Sequence, residues 1–550
     1  MAFIVKKKIK GNEYFYLNEN KRVEGKVKTR TLAYLGKDRK KAEVKAKEII
    51  KKLEHEKIRM EKEPEAKSQT PTIQEERTEI SVEQLATFCK RRGFVYPSAE
   101  IYGGFAGFWD FGPLGVELKN NIKREWWKFH VFGREDVVGI DGAIITNPKV
   151  WEASGHVGHF IDFAVYDKKK KEKFKVDKHE LSKYENNPDY EILGEFNPMF
   201  TTQVGPVKKD SVTAYLRPET AQLIFVNFKQ VYENARMSLP GGIAQIGKSF
   251  RNEIAPRDFI FRDREMEQME MEYFIKPEQE CPYEIPSVDI NIFSEKMQKE
   301  NAGPEKMNIK KAFEQGIIRR KWHAYWLATE LSWFRALGVS FDNLRIRQHL
   351  SEELSHYSSD TWDIEYRFPF GWKELQGIAD RGDYDLSQHE KFSGKDLKIF
   401  DEQTKKKFLP HVVCEPALGV ERAFLVFMFD SYFYNKERDN VVLKLNPQLA
   451  PIKAAVFPIV KKPEYEKIAS EVFDLLKNEW SVIYDKSGSI GRRYARNDEA
   501  GTPFCITIDE ESVKKKDATI RDRDTKKQIR VKISELKNFV KKLIDGEEKI

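Results

Sequence analysis

At 550 residues, with 40% hydrophobic and 12% aromatic content, the chain is too long for one compact core and too apolar for a disordered polymer, so it divides into two to four globular units. The net charge of +8 hides an asymmetry: residues 1–70 carry 21 Lys+Arg against 11 Asp+Glu, while the other 480 carry 75 against 77. The longest apolar run, residues 423–429, has seven positions, far short of a membrane span, and no apolar core follows Lys6, Lys7 and Lys8, so a cytoplasmic chain with no membrane partner is expected.

In chain order, residues 3–35 alternate apolar and charged positions, with turn residues at Gly11-Asn12, Asn18 to Asn20 and Glu24-Gly25, and predict a small antiparallel sheet. Ala42, Ala46, Ile49, Ile50 and Leu53 then fall at helical spacing on one face of a Lys/Glu-rich helix. The stretch EKEPEAKSQTPTIQEERTE, residues 61–79, reads as a linker. These first 79 residues form a basic extension, either a nucleic acid contact or a solubilising tail. Residues 80–446 mix Trp- and Phe-rich helices with strands and contain no repeat. From 447 to 550 strand and helix alternate: IKAAVFPIV as a buried strand, a helix marked by Ile468, Val472, Leu475 and Leu476, then WSVIYD and PFCITID as strands, and a last strand with a closing helix. That pattern predicts a small mixed-sheet α/β domain. Cys89, Cys281, Cys414 and Cys505 include no C-x-x-C pair, which predicts buried reduced thiols and no zinc.

Residues 242–249 satisfy G-x-x-x-x-G-K-S, the letter pattern of a phosphate-binding loop. Its interior, Ile243 to Ile246, is bulky and strand-forming, and Pro256 prevents a long helix from following, so the match is accidental. Read as a hairpin the region is orderly. Arg251 and Glu253 share a face of the first strand, and after a turn around Pro256 to Asp258, Arg262, Arg264, Met266, Gln268 and Glu270 share a face of the second. A row of arginines ending in a carboxylate suits a polyphosphate and an ammonium group; a solvated charged hairpin is the alternative.

FRNE, a loop, then FRDRE resembles motif 2 of the class II aminoacyl-tRNA synthetases, and EQMEMEYF is similar to the glycine-specific enzymes. GFVYPSAEIYGGFAGFWDFGPLGVELKNNIK, WEASGH, YLRPETAQLIFVNF, EELSHYSSDTWDIEYRFPFGWKELQGIADRGDYDLSQH and EPALGVER follow the glycyl-tRNA synthetases in the same order, over about residues 80–550. The resemblance implies an α+β fold, with a class II antiparallel sheet flanked by helices and a C-terminal anticodon-binding domain. It implies attack of the glycine carboxylate on the α-phosphate of ATP, with Mg2+, then transfer of glycyl to the terminal ribose of tRNA(Gly). Both steps rest on positioning and charge neutralisation.

Residue by residue, the resemblance implies catalytic roles for Arg251, Glu253 and Arg422. It places ATP on Arg251, Asn252, Glu253, Phe261, Arg262, Asp263, Arg264, Glu265, Met266, Glu374, Leu375, Gly419, Val420, Glu421 and Arg422, with Arg262 and Arg264 at the outer phosphates and magnesium at Glu374. Glycine falls to Lys175, Glu219, Met266, Glu267, Gln268, Met269, Glu270, Glu415, Pro416, Ala417, Leu418 and Gly419, with Glu219, Glu270 and Glu415 around the ammonium. Without the motif, Arg422 in a first helical turn would be read as an ion pair with Glu421 or Asp430. Three positions depart from the family pattern: Met266 where a phenylalanine stacks on adenine, Ala417 where a serine faces the amino acid, and Lys175 for an arginine. VVGIDGAIITNP resembles motif 1, which implies a homodimer, and IGRRYARNDEAGTPFCITID resembles the anticodon-binding domain. There Arg492 and Arg496 face RNA phosphates or pair with Asp498 or Glu499. A fold relative that had lost its site would lack Arg251 and Arg422; both are present.

Overall fold

The computed structural model describes residues 2–9, 12–23, 26–36, 46, 78–176, 180–207, 210–355, 357–436 and 439–550. They belong to two compact units, Met1–Glu75 and Glu76–Ile550. The first contains an antiparallel sheet of Ala2–Ile9, Asn12–Val23 and Lys26–Gly36 in chain order. The turn expected at Asn18 to Asn20 is absent. Those residues continue the middle strand, where the register shifts between Leu17 and Asn18 and absorbs a locally unfavourable sequence without ending the pairing. Of the expected helix only Ala46 is described, and the linker up to residue 77 lies outside the described residues.

The second unit is built on a nine-stranded sheet in the order Glu305–Asn308, Asp289–Phe293, Leu344–Gln348, Asp360–Phe368, Gly371–Asp380, His411–Gly419, Glu265–Ile275, Gly241–Phe250, Val137–Ile140. Pairings are antiparallel except at Asp289–Phe293 with Leu344–Gln348 and at Gly241–Phe250 with Val137–Ile140. Three helices, Pro113–Trp127, Lys321–Ala336 and Val420–Ser431, share one core with strands of this sheet. The last two carry apolar side chains all round, including Trp326, Phe334, Phe424 and Met428 at 0% exposure, as helices enclosed on every side must. Each such large side chain contributes about 1.5–3 kcal/mol by leaving water. A second core is formed where the helix Ala221–Asn234 places Ile224, Phe225 and Phe228 against Ile243, Phe274 and Val412. Next to that helix, on the same face of the sheet, the floor stays open and polar.

The segment matching the phosphate-loop pattern lies wholly inside the strand Gly241–Phe250, with no helix after it. At the C-terminal end a five-stranded sheet runs Val482–Tyr484, Ala454–Pro458, Phe504–Ile508, Asp517–Asp522, Gln528–Lys532. Its first three strands are parallel and the rest antiparallel. Helices Pro463–Leu476, Ile490–Ala500 and Ile533–Asp545 accompany it, and it has its own buried cluster. The strand Asp517–Asp522 was not among the expected elements; its polar, charged sequence hides an interior position in the sheet, between Phe504–Ile508 and Gln528–Lys532. All four cysteines are buried and free. Among the described residues no helix is long and apolar enough to cross a membrane.

Candidate active site

The open floor is a cavity of about 460 Å³. It lies across three neighbouring strands, Glu265–Ile275, His411–Gly419 and Gly371–Asp380, and reaches Asp363 on a fourth. Period-two alternation decides which side chains reach it. Met266, Gln268 and Glu270 line it, as do Glu415, Ala417 and Gly419. Their neighbours do not: Met269, Leu418 and Leu375 are buried in the core, Pro416 does not reach the cavity, Glu265 pairs with Lys248, and Glu267 pairs with Lys123 at 2.9 Å. Of each contiguous run expected for glycine, 266–270 and 415–419, the three alternate residues reach the cavity, while off the strands Phe261, Asp263 and Glu421 line it as expected.

The hairpin also differs from expectation. Its strands end at Phe250 and begin again at Glu265, so Arg251, Glu253, Arg262 and Arg264 sit on the connecting loop. A loop frees each of them from strand alternation, and they separate. Arg251 lines the cavity, its Nε donating to the Pro218 carbonyl at 3.0 Å and its guanidinium lying over the Phe160 ring at 5.6 Å. Arg262 donates to Glu253 Oε2 from Nε at 2.8 Å and from Nη2 at 2.6 Å, and both residues line the cavity. Arg264 is directed elsewhere: its guanidinium is held by the carbonyls of Glu253, at 2.7 and 3.0 Å, and of Ala106, at 2.7 Å. So held, Arg264 does not line the cavity, and neither do Asn252 and Val420. Arg257, which carried no expectation, does.

Arg422 follows Gly419 in the first turn of Val420–Ser431 and pairs with neither Glu421 nor Asp430. Its Nη1 lies 3.0 Å from Glu374 Oε1, and its guanidinium is stacked 4.7 Å from the Phe261 ring centroid. The Arg422 charge draws the pKa of Glu374 below its ordinary value.

At the other end, carboxylates converge. Glu270 accepts from the backbone N–H of Thr220 at 3.0 Å, from the Thr220 hydroxyl, and from Gln268 Nε2 at 2.9 Å. Glu219 lies 3.2 Å from His156 Nε2. Arg381 donates to both oxygens of Glu415, at 2.8 and 3.0 Å, and to both of Asp385, at 2.8 and 2.9 Å. Burial pushes all three glutamates toward the neutral form, and the outcome differs with the partner. Despite burial, His156, Arg381 and Arg251 hold Glu219 well below the usual carboxylate range. Burial and the Glu219 charge raise Glu270. Glu415 is pushed up to about 8 by burial and by the charges of Glu270 and Glu219, against the pull of Arg381. Three adjacent carboxylates of unequal proton affinity make a pocket that favours a small cation. Lys175 lines it too, paired with Asp162 at 2.7 Å.

Sequence reasoning missed Arg381, Tyr357, His349 and Asp363. The Arg381 guanidinium lies 3.9 Å from the Tyr357 ring centroid, and His349 Nε2 is 2.8 Å from Asp363 Oδ2. The Arg381–Asp385 pair, four positions apart in ADRGDYD, was a visible local signal. Nothing local marks Tyr357 or His349.

A nine-stranded, largely antiparallel sheet whose nucleotide-type arginines sit on a loop and a helix start, joined to a small α/β domain, defines a class II aminoacyl-tRNA synthetase. The prolyl-tRNA synthetase from Cryptosporidium parvum, solved with L-proline and AMP, shares the fold with a TM-score of 0.52 at 15% identity, over 84% of this chain and 75% of its own. The Anticodon binding domain family matches residues 453–543. The glycine–tRNA ligase of Thermobifida fusca is 43% identical over 496 residues, covering 85% of this chain and 98% of its own length. That of Geobacillus thermodenitrificans is 44% identical over 497 residues, covering 84% and 98%. The chain belongs to the glycine–tRNA ligase family: it activates glycine with ATP and transfers the glycyl group to tRNA(Gly).

Proposed function

We propose the following division of labour. Glu219, Glu270 and Glu415 receive the glycine ammonium, and Arg251, beside them, neutralises the charge that develops on the ATP α-phosphate as the glycine carboxylate attacks. Arg262, steered by Glu253, and Arg422, steered by Glu374, meet the outer phosphates and the nucleotide, with Phe261 and Met266 as apolar surfaces. Arg257 joins Arg262 in place of Arg264. The convergence of three buried carboxylates next to Arg251 carries this reading. A site with charge aimed at both reacting groups needs no covalent intermediate with the protein.

Magnesium fits at Glu374. Its side chain is 49% exposed at the cavity, with Oε1 3.0 Å from Arg422 Nη1. Magnesium is commonly held by one or two carboxylates together with substrate phosphates, and bound there it would screen the polyphosphate. No role for zinc is proposed. We further assign the strand Val137–Ile140, at the edge of the large sheet, and the helix Pro113–Trp127 before it to a homodimer interface. Residues 447–550 are read as the anticodon-binding domain, residues 1–79 as an additional tRNA contact, and the cytoplasm as the compartment. Arg492, exposed on Ile490–Ala500, is the better RNA candidate there, because Arg496 is engaged by Asp485 at 2.5 Å.

Pyrophosphate exchange with glycine, alanine and serine tests the core assignment. Exchange with glycine alone, lowered about 100-fold or more in Glu270→Ala, is expected, since a charge-assisted contact of about 3 kcal/mol is lost. A variant within twofold of the parent enzyme would remove Glu270 from the ammonium site.

A further inference from the structure

At the nucleotide end of the cavity, where Asp263 and Glu421 line it, lies a second charged cluster. Lys119, on the helix Pro113–Trp127, is 8% exposed. Its Nζ lies 2.5 Å from Glu421 Oε1, 3.1 Å from Glu267 Oε2 and 4.4 Å from the Phe111 ring centroid. Lys123, one turn further along, reaches Glu267 Oε1 at 2.9 Å. The other oxygen of Glu421 accepts from the backbone N–H of Glu267 at 2.9 Å. Glu421 is thus held at both oxygens, once by the helix and once by the strand Glu265–Ile275, and Arg422 is the next residue in the chain.

We propose that Lys119 is a positioning residue for ATP: by occupying Glu421 it keeps Arg422 from closing an ion pair with its neighbour and holds the Arg422 guanidinium toward Phe261 and Glu374. The proposal rests on the assignment of Arg422 to the nucleotide. The charges support it. Two ammonium groups, Lys119 and Lys123, face two carboxylates, Glu267 and Glu421. A third carboxyl, Asp263, is buried beside them and receives the Trp109 indole N–H at 2.9 Å. Burial and the Glu421 charge push Asp263 far toward its neutral form, so the cluster balances. Burial alone would lower the pKa of Lys119; the charges of Glu421 and Glu267 hold it above its ordinary value. Without Lys119, Glu421 would stand at the polyanion site with an unpaired oxygen, free to draw Arg422 away from Phe261 and Glu374. None of these contacts touches Glu219, Glu270 or Glu415, so the effect is confined to the nucleotide.

The test is a kinetic cycle of Lys119→Met, Arg422→Ala and the double variant in pyrophosphate exchange, with Lys119→Arg as the rescue. Lys119→Met is expected to raise the ATP KM about 10- to 100-fold, the scale of a displaced ligand group, while the glycine KM stays within about twofold. Lys119→Arg should recover most of the loss, and Lys119→Met should add less than about threefold in the Arg422→Ala background, because coupled residues are non-additive. If Lys119→Met does not fold, Lys119→Gln, whose neutral amide offers Glu421 only an uncharged donor, replaces it in the same cycle, with a rise in the ATP KM of about three- to tenfold expected. Equal rises in both KM values, additive losses, or parental kinetics in a folded variant would overturn the proposal alone. An unchanged ATP KM in Arg422→Ala would overturn the assignment of Arg422 and the proposal together.

Discussion

The side chains that distinguish this site from an ordinary charged surface are those whose proton affinity has been moved apart by their surroundings. Glu415 is held up to about 8, above the unfolded value of roughly 4.3. A raised carboxylate binds its proton more tightly in the folded protein, so its stabilisation is complete below the unfolded pKa and is lost as pH rises through about 8. An ammonium group beside it reverses that loss, and free glycine keeps its ammonium through this window. The glycine-induced rise in Tm is therefore expected to grow between pH 6 and pH 8.5, as read by thermal melts with saturating glycine. A rise that shrinks with pH would place the ammonium elsewhere. Ala417 offers a second test at this scale. It lines the cavity opposite Gly377, so Ala417→Ser adds a hydroxyl with room around it. One neutral hydrogen bond is worth about 0.5–1.5 kcal/mol, so the glycine KM should fall about two- to tenfold. Motif resemblance singled out Glu219, Glu270, Glu415, Arg251 and Arg422, and all five line the cavity. Their protonation and the direction taken by Arg264 were not legible, because both follow from neighbours distant in sequence.

Among the secondary elements, alternation explains most of the corrected assignments. Met266, Gln268 and Glu270 face the cavity because Met269 and Met271 are needed by the core on the other side of the strand. The same reasoning disposes of the phosphate-loop pattern. Lys248 projects from a strand toward Glu265 with 48% of its side chain exposed, and Lys248→Ala should retain full ATP-dependent exchange. The helix Pro113–Trp127 is seated by Gly115, where a Cβ would stand 1.8 Å from the Phe94 carbonyl oxygen. Gly115→Ala must push that helix off the backbone, at a cost of about 1–3 kcal/mol or more, measurable as a lower denaturant midpoint. Because the same helix carries Lys119, the variant should also raise the ATP KM. Boundaries were harder to read than types. The polar Asn18 to Asn20 looked like a turn and pairs as strand, since backbone hydrogen bonding to two neighbours outweighs weak local preference.

For the whole molecule, the charge asymmetry is the feature that sequence displays most plainly and that the fold explains least. Residues 76–550 hold both the cavity and the segment matched by the anticodon-binding family, while the net positive charge belongs to residues 1–70. If the extension contacts tRNA, deleting residues 1–75 should leave glycine-dependent pyrophosphate exchange unchanged, raise the tRNA KM, and flatten the dependence of log KM on log salt as phosphate contacts are removed. Aminoacylation measured at several salt concentrations decides it, and unchanged slopes would leave a solubilising role.

The family and the reaction were written in short stretches such as FRNE, EQME and GVER, because residue types at fixed local spacing carry that information. Which of those residues share a cavity was decided by the fold. Arg381 meets Glu415 across 34 positions, and Lys119 meets Glu421 across 302. Burial then turns such pairings into shifted proton affinities and fixed guanidinium directions. Those effects depend on the strand order and on the loss of water, which no local pattern encodes.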